Sequence, residues 1–333
     1  MVRVAINGFG RVGRTAFKIA FENKDLEIVA INSGADTKIA AHLLKHDSNY
    51  GTYERNVSYD QDGIIVDGKK VKYVRERDPT KLPWKDFNID IVLECTGEFT
   101  KKEDAEKHLA AGAKAVIISA PPKGPGVDTF LISVNADKLG KQNIISNASC
   151  TTNSIAPAIA VLHSKFKVLK AAMTTVHSYT SDQNLLDGTH KDLRRARNAA
   201  TNIVPTTTGA AISTTEVIPD LKGKFDGLAI RVPTPVVSLS DITALVGRKT
   251  TADEVNNAFI DAANNSPYKG VLGVTKEELV SSDFIRSPYS AVVDLPLTKV
   301  IDGDLVKVFV WYDNEWGFCC RLIEETVLLG KKL

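Results

Sequence analysis

Val2-Arg3-Val4-Ala5-Ile6-Asn7-Gly8-Phe9-Gly10-Arg11-Val12-Gly13-Arg14 carries an apolar strand straight into a glycine-rich turn, and a helical stretch from Thr15 to Glu22 follows. The three glycines of this run each have a separate task in a dinucleotide-binding turn. Gly8 permits the tight bend, Gly10 lets the backbone approach a pyrophosphate, and Gly13 lets helix and strand pack closely, with the phosphates at the helix N-terminus. A glycine-rich turn without a ligand is the competing reading of the three glycines alone. The strand before them and the helix after them favour a bound dinucleotide.

Working outward, Leu26 to Ile31 reads as the next buried strand and ends at Asn32-Ser33-Gly34. At this point an acid would ordinarily hold both adenosine ribose hydroxyls of NAD. Asn32 can still hydrogen-bond a ribose, but it removes the charge that would repel a 2′-phosphate, and Ser33 adds a hydroxyl able to donate to one. Use of NADP is therefore expected, against the plainer reading of a neutral replacement in an NAD enzyme. Ile89 to Gly97 and Ala115 to Pro121 are two further apolar strands, with a helical pattern from Lys102 to Ala111 between them. Near-continuous apolar strands alternating with helices imply an α/β, Rossmann-type domain around a parallel sheet. Its strand ends, at Thr96-Gly97 and Ser119-Ala120, are where a cofactor lies in such folds.

Cys150 stands in Ser149-Cys150-Thr151-Thr152-Asn153, with His177 downstream in Val176-His177-Ser178-Tyr179-Thr180. A cysteine becomes a nucleophile only when an imidazole or a helix N-terminus lowers its pKa, and the short polar residues around Cys150 suit a helix start. From this pair alone, a buried structural cysteine beside a hydrogen-bonded histidine is an equal reading. Beyond Cys150 the pattern turns β-rich. Ala171 to Thr180, Leu228 to Pro233, Val236 to Val246 and Leu305 to Tyr312 read as strands, and Thr251 to Asn264 as a helix. These features predict an α+β catalytic domain with a mainly antiparallel sheet.

At 333 residues the chain is long for one core, so two domains are expected: 1–148 for the dinucleotide, completed by a C-terminal helix within 315–333, and 149–314 for the substrate. A net charge of +2 argues against a general nucleic-acid or membrane binder. No apolar stretch approaches the roughly 20 residues of a membrane span, and the first residues read as a strand; a cytoplasmic protein is expected. Four cysteines, Cys95, Cys150, Cys319 and Cys320, make a poor disulfide framework and point to reduced thiols. His42 and His46 have zinc-like helical spacing but no evident third ligand, so no metal is expected. The basic run Lys191 to Arg197 suits phosphate or a neighbouring subunit better than RNA.

Six motifs in order then resemble the phosphorylating glyceraldehyde-3-phosphate dehydrogenases. They are Asn7 to Arg14, Ser149 to Asn153, His177 to Thr180, Pro205-Thr206-Thr207-Thr208-Gly209-Ala210-Ala211, Arg231-Val232-Pro233-Thr234-Pro235 and Trp311-Tyr312-Asp313-Asn314-Glu315-Trp316-Gly317, and the match spans residues 2–330. The resemblance implies a homotetramer that converts glyceraldehyde 3-phosphate and inorganic phosphate into an acyl phosphate, in glycolysis or gluconeogenesis. It implies Cys150 as nucleophile and His177 as proton acceptor, with Arg11 and Val12 at the pyrophosphate and Asn32 at the ribose. Arg77 would lie at the adenine side, Ser119 at the nicotinamide side and Asn314 at the carboxamide. Thr180, Asp182 and Arg231 would frame the substrate phosphate. Ser149, Thr151, Thr208 and Gly209 would frame the inorganic phosphate, with Arg194 supplying charge nearby. Gly188-Thr189 departs from the bulky Leu-Pro pair common in NAD-type members and resembles the small-then-hydroxyl pair of NADP-using ones, where the loop reaches a neighbouring subunit's cofactor. NAD(P) with good use of NADP is the expectation. Erythrose-4-phosphate dehydrogenase is the rival enzyme, and a secondary RNA-binding role the rival of another class.

Overall fold

The strand Val2–Asn7 lies in the middle of a nine-stranded sheet, and its last four residues are buried because both faces of the sheet are covered. The computed structural model describes residues 1–333. In sheet order the strands are Asp128–Thr129, Ile144–Ser146, Ala115–Ile118, Ile91–Glu94, Val2–Asn7, Leu26–Asn32, Lys69–Val74, Gly63–Val66 and Val57–Tyr59. Pairing is parallel as far as Lys69–Val74, and only the last two pairs are antiparallel. The register puts Asn7 opposite Asn32 on one side and Glu94 on the other. Three polar side chains therefore arrive together where the apolar strands stop. Beneath them Val92, Val116, Ile118, Trp84 and Ala105 pack in a core of buried residues.

This sheet belongs to a unit made of Met1–Phe130, Ala136–Ala148 and Cys319–Leu333; Leu131–Asn135 and Ser149–Phe318 form a second unit. The second unit holds an eight-stranded sheet in which Val204–Thr207, Phe225–Val232, Val168–Ser178, Ser238–Val246, Leu305–Tyr312, Ala291–Asp294 and Leu272–Thr275 are successive neighbours. Lys299–Ile301 pairs with Leu305–Tyr312 as well, and five of the seven pairings are antiparallel. Ser238–Val246 and Leu305–Tyr312 alternate buried with half-buried residues throughout, the period of a sheet covered on one face. Ile242, Val306, Val308 and Val310 share a core with Ile155, Ile159, Leu162 and Phe166 of the helix Cys150–Phe166. Each such side chain contributes about 1.5–3 kcal/mol on burial, so the helix start that carries Cys150 is firmly seated.

The helix after the glycine turn begins at Arg11, earlier than its apolar pattern suggests. Gly10 occupies the cap position with no side-chain cap bond. The last helix likewise begins at Trp316, because the Asp313 carboxylate accepts from the Glu315 and Trp316 N–H groups at 2.9 and 2.8 Å. Its far end presses on the first strand of the first unit, where a Cβ on Gly330 would meet Val2 Cγ2 at 2.3 Å.

Candidate active site

In the first unit, a pocket at the strand ends is lined by Asn7, Gly8, Asn32, Ser33, Arg77 and Thr96. The glycine loop is shaped for close approach. Gly8 has φ +96°, and a Cβ there would lie 2.7 Å from the Thr96 nitrogen, while one on Gly13 would meet the Gly8 carbonyl oxygen at 2.1 Å. A Cβ on Gly10, by contrast, would meet nothing within 4 Å, so that position opens on free space at the helix N-terminus. These are the demands of a bound pyrophosphate. The Arg11 guanidinium pairs with Asp47 at 2.7 Å, and this hydrogen bond and charge hold the Asp47 carboxyl below its ordinary range despite burial. Ser119 donates its hydroxyl to the Glu94 carbonyl at 2.8 Å.

Asn32 is more constrained than its sequence context suggests. Its amide nitrogen donates to Asn7 Oδ1 at 2.7 Å and to the Glu76 carbonyl at 2.9 Å, while its Oδ1 accepts from the Glu76 N–H at 3.0 Å. Both amide protons are used. What remains is acceptor capacity on Oδ1, suited to a ribose hydroxyl and unable to donate to a 2′-phosphate. A phosphate at that end would depend on Ser33 and on Arg77, which is exposed.

In the second unit, Ser149 caps the helix Cys150–Phe166 by accepting from the Thr152 N–H at 3.0 Å, which makes Cys150 the first helical residue. Its Sγ lies 3.5 Å from His177 Nε2. Burial pushes the thiol pKa above its ordinary value, against the lowering pull of Arg231 and of hydrogen bonds at Thr151. The expected lowering is therefore outweighed by desolvation in the free chain. Burial first, then the charge of Arg231, pulls His177 down from 6.5 to about 3. The imidazole is neutral at physiological pH. Its Nδ1 stands 2.7 Å from the Ser178 carbonyl oxygen and 2.8 Å from Arg231 Nη1, which also donates to the Ser178 carbonyl at 3.0 Å.

Around this pair, Asn314 Oδ1 accepts from the Ser178 and Ser238 hydroxyls at 3.0 and 3.1 Å, leaving its Nδ2 as the donor end. Tyr312 bonds Thr151 at 2.9 Å and Thr175 at 2.8 Å and meets the His177 ring edge-on at 6.0 Å. Arg195 pairs closely with Asp182, donates to Thr206 Oγ1 at 2.8 Å and to the Thr207 carbonyl at 3.2 Å. Gly209 opens the helix Ala210–Val217 with no side-chain cap, and Thr208 Oγ1 accepts from the Ala210 N–H at 3.2 Å. Thr180 is half-buried, with its N–H on Gln183 at 3.3 Å.

Residues 149–314 match the family model described as glyceraldehyde 3-phosphate dehydrogenase, C-terminal domain, and residues 2–102 the one described as its NAD binding domain. The chain belongs to the glyceraldehyde-3-phosphate dehydrogenase family. It is 52% identical to glyceraldehyde-3-phosphate dehydrogenase of Streptomyces coelicolor over all of this chain and 99% of the relative. It is 50% identical to that of Geobacillus stearothermophilus, over 99% of each chain. With glyceraldehyde-3-phosphate dehydrogenase A, chloroplastic, of Chlamydomonas reinhardtii it shares 52% identity over 99% of this chain and 89% of the relative.

Set beside the family's chemistry, the second unit gathers Cys150, His177, Arg231 and Asn314 around one another through the contacts above. Arg194, expected to supply charge near the phosphates, is exposed, and it is the neighbouring Arg195 that reaches Asp182 and the Thr206-Thr207 strand. Adjacent arginines in Leu193-Arg194-Arg195 cannot be told apart without knowing which way the chain turns. Ser149 and Thr151 spend hydroxyl bonds on the helix cap and on Tyr312. Gly188 and Thr189 are exposed on their loop. A further missed group is Glu94, a buried acid at the end of Ile91–Glu94 that accepts from Asn7 Nδ2 at 2.6 Å, the Thr96 N–H at 2.8 Å and His108 Nε2 at 3.1 Å. Its only signal in the sequence is a charge closing an apolar run.

Proposed function

We propose that this chain reversibly oxidises D-glyceraldehyde 3-phosphate to 1,3-bisphosphoglycerate, using inorganic phosphate and NAD or NADP, through a thioester on Cys150. The observation that carries the proposal is the 3.5 Å approach of Cys150 Sγ to His177 Nε2 at a helix start flanked by Arg231. His177 takes the Cys150 thiol proton across their 3.5 Å contact, the thiolate adds to the aldehyde carbon, forming the C–S bond, and the proton passes to the carbonyl oxygen to give a hemithioacetal. His177, kept neutral by its burial, accepts that hydroxyl proton as the carbon is oxidised. The bound coenzyme supplies the hydride acceptor. A phosphate oxygen then attacks the thioester carbon, the C–S bond breaks, and the sulfur leaves as thiolate with the acyl phosphate as product.

The glycine loop and the uncapped helix start at Arg11 and Val12 would hold the coenzyme pyrophosphate, with Asn32 accepting from a ribose hydroxyl and Arg77 at the adenine side. Asn314 would donate to the carboxamide. Arg231 and Thr180 would hold the substrate phosphate, with Arg195 positioned by Asp182 beside them. The start of the helix Ala210–Val217, with Thr208, Ser149 and Thr151, would receive inorganic phosphate. Among coenzymes, the uncharged Asn32 and the small Gly188-Thr189 pair support good use of NADP, with the 2′-phosphate left to Ser33, Arg77 and Thr189. The exposed Leu185, Leu186 and Leu193 support a homotetramer. Four free thiols suit a reducing compartment such as the cytoplasm, and no helix is long and apolar enough to cross a membrane.

A steady-state assay with both coenzymes, with and without phosphate, tests the reading. Phosphate-dependent reduction of coenzyme, with a Cys150-bound acyl adduct seen by mass spectrometry, is the expected result. Cys150→Ser should abolish turnover and keep coenzyme binding. Oxidation indifferent to phosphate, giving a free acid, would transfer the chain to the erythrose-4-phosphate type.

A further inference from the structure

We infer that Glu94, buried behind the coenzyme pocket, sets the direction in which the pocket's amides point, so that Asn32 meets the coenzyme oxygen-first. Glu94 is thereby a positioning residue that favours a ribose hydroxyl over a 2′-phosphate at Asn32. The inference rests on the coenzyme site proposed above, with Asn32 at the ribose. Glu94 closes the strand Ile91–Glu94 beside Asn7, and its side chain has no solvent exposure. Its Oε1 accepts from the Thr96 N–H at 2.8 Å and from the Thr96 hydroxyl, whose oxygen in turn accepts from the Glu98 N–H at 3.0 Å. Its Oε2 meets Asn7 Nδ2 at 2.6 Å and His108 Nε2 at 3.1 Å.

The His108 ring is fixed from its far side. Trp84 Nε1 can only donate, and it stands 3.1 Å from His108 Nδ1 with both side chains fully buried. Nδ1 is therefore bare, and the one proton of the ring sits on Nε2, aimed at Glu94. A second proton on the ring would set N–H against N–H. All four partners of Glu94 thus donate, and an acid proton on the carboxyl would meet only donors, so the group stands as a carboxylate. A group that can only accept decides how the amide beside it lies. Asn7 turns Nδ2 to Glu94 and Oδ1 away, and that oxygen accepts from Asn32 Nδ2 at 2.7 Å. The register that sets Asn7 between Asn32 and Glu94 makes this sequence of bonds possible. The other amide proton of Asn32 is on the Glu76 carbonyl at 2.9 Å, and only Oδ1 is left for the pocket that Asn7, Asn32 and Thr96 line. The polarity of one buried carboxylate is passed through two amides to an oxygen that accepts from a ribose hydroxyl and repels a phosphate. The same carboxylate holds the Thr96 turn against the glycine loop, where a Cβ on Gly8 would lie 2.7 Å from the Thr96 nitrogen.

Glu94→Gln keeps the shape and breaks the polarity. Whichever way the new amide lies, its nitrogen faces two donors, either Asn7 and His108 or the two of Thr96. Binding of NAD and of NADP to the whole protein is measured by titration calorimetry, with circular dichroism to check the fold. The dissociation constant for NAD should rise about tenfold and that for NADP no more than about threefold, the first being the scale of one hydrogen bond to a charged group. The KM for glyceraldehyde 3-phosphate should not move. An equal loss for both coenzymes, or none for NAD, overturns the inference. Asn32→Ala separates it from the reading on which it rests. If Asn32→Ala binds NAD as well as the parent, the ribose assignment fails; if Asn32→Ala weakens NAD and Glu94→Gln does not, the role of Glu94 alone fails. Should Glu94→Gln not fold, the parent decides. Nitrogen NMR of the protein labelled with ¹⁵N-histidine, with His108 identified by the signal lost in His108→Gln, should show a neutral ring with its proton on Nε2 near neutral pH. A proton on Nδ1, or on both nitrogens, removes the fixed polarity and overturns the inference.

Discussion

A glycine and a histidine show how much single positions decide in this chain. Gly13→Ala would drive a methyl group to 2.1 Å from the Gly8 carbonyl oxygen, so the loop must shift. Overpacking of this kind costs about 1–3 kcal/mol. Gly10→Ala meets nothing within 4 Å and should leave the melting temperature of the free protein unchanged. Both should weaken coenzyme binding about tenfold or more, since 1.4 kcal/mol is one decade, but only Gly13→Ala should also destabilise. Coenzyme titrations and melting curves of the two variants check this contrast. His177 makes a different prediction, about pH. Its folded pKa lies near 3 and its ordinary value at 6.5, so the unfolded chain binds the extra proton between them. The histidine's contribution is complete above pH 6.5 and is lost as pH falls towards 3, on the order of 1 kcal/mol per pH unit within that window. Thermal unfolding from pH 7 to pH 3.5 should lose stability more steeply in the parent than in His177→Asn. Parallel curves would mean that the ring is not held neutral.

At the scale of elements, what was legible depended on whether periodicity or chemistry ended them. Leu305–Tyr312 runs as its alternation predicts, because one buried face repeats every second residue. The short strand Lys69-Lys70-Val71-Lys72-Tyr73-Val74 carries no readable pattern in the sequence, because its exposed lysines mask two buried positions. Coenzyme and thiol motifs were legible because glycine geometry and helix caps leave local marks. The Arg195 contact and the bonding of Asn32 were not, since they depend on residues distant in sequence. Helix Trp316–Gly330 carries one more such feature. Glu325 is fully buried, neither carboxyl oxygen has a hydrogen-bond partner, and burial with the charge of Glu324 pushes its pKa well above the ordinary 4.5. The folded chain then keeps a proton that the unfolded chain gives up above pH 4.5, so stability falls as pH rises towards the folded pKa. Glu325→Gln keeps the shape without the ionisation. It should raise the melting temperature at pH 7, with a gain that shrinks as pH is lowered to 4. A variant less stable than the parent at both pH values would show that the carboxylate is usefully bonded.

For the whole molecule the decisive observation is apolar surface. Leu185, Leu186, Leu193 and Ile203 are 67, 71, 82 and 71% exposed, and all lie in the stretch that also carries Gly188-Thr189 and Arg195. A lone soluble chain rarely leaves several large aliphatic side chains so open in one segment, whereas a subunit contact would cover them. The same segment is ordered from within, by Arg197 to Asp187 at 2.9 Å and by Gly188 N–H to the Ala196 carbonyl at 2.9 Å. Its shape therefore does not depend on the leucines, which are free to serve a neighbour. Leu193→Asp puts a charge where assembly would bury it, at a cost of several kcal/mol per contact. Sedimentation should find the parent as a tetramer and Leu193→Asp as smaller species, with the fold unchanged by circular dichroism. If the Gly188-Thr189 loop completes a neighbour's coenzyme site, kcat/KM for NADP should fall with dissociation and recover as protein concentration is raised. A monomeric variant that uses NADP as well as the parent would confine coenzyme choice to Asn32, Ser33 and Arg77 of a single subunit.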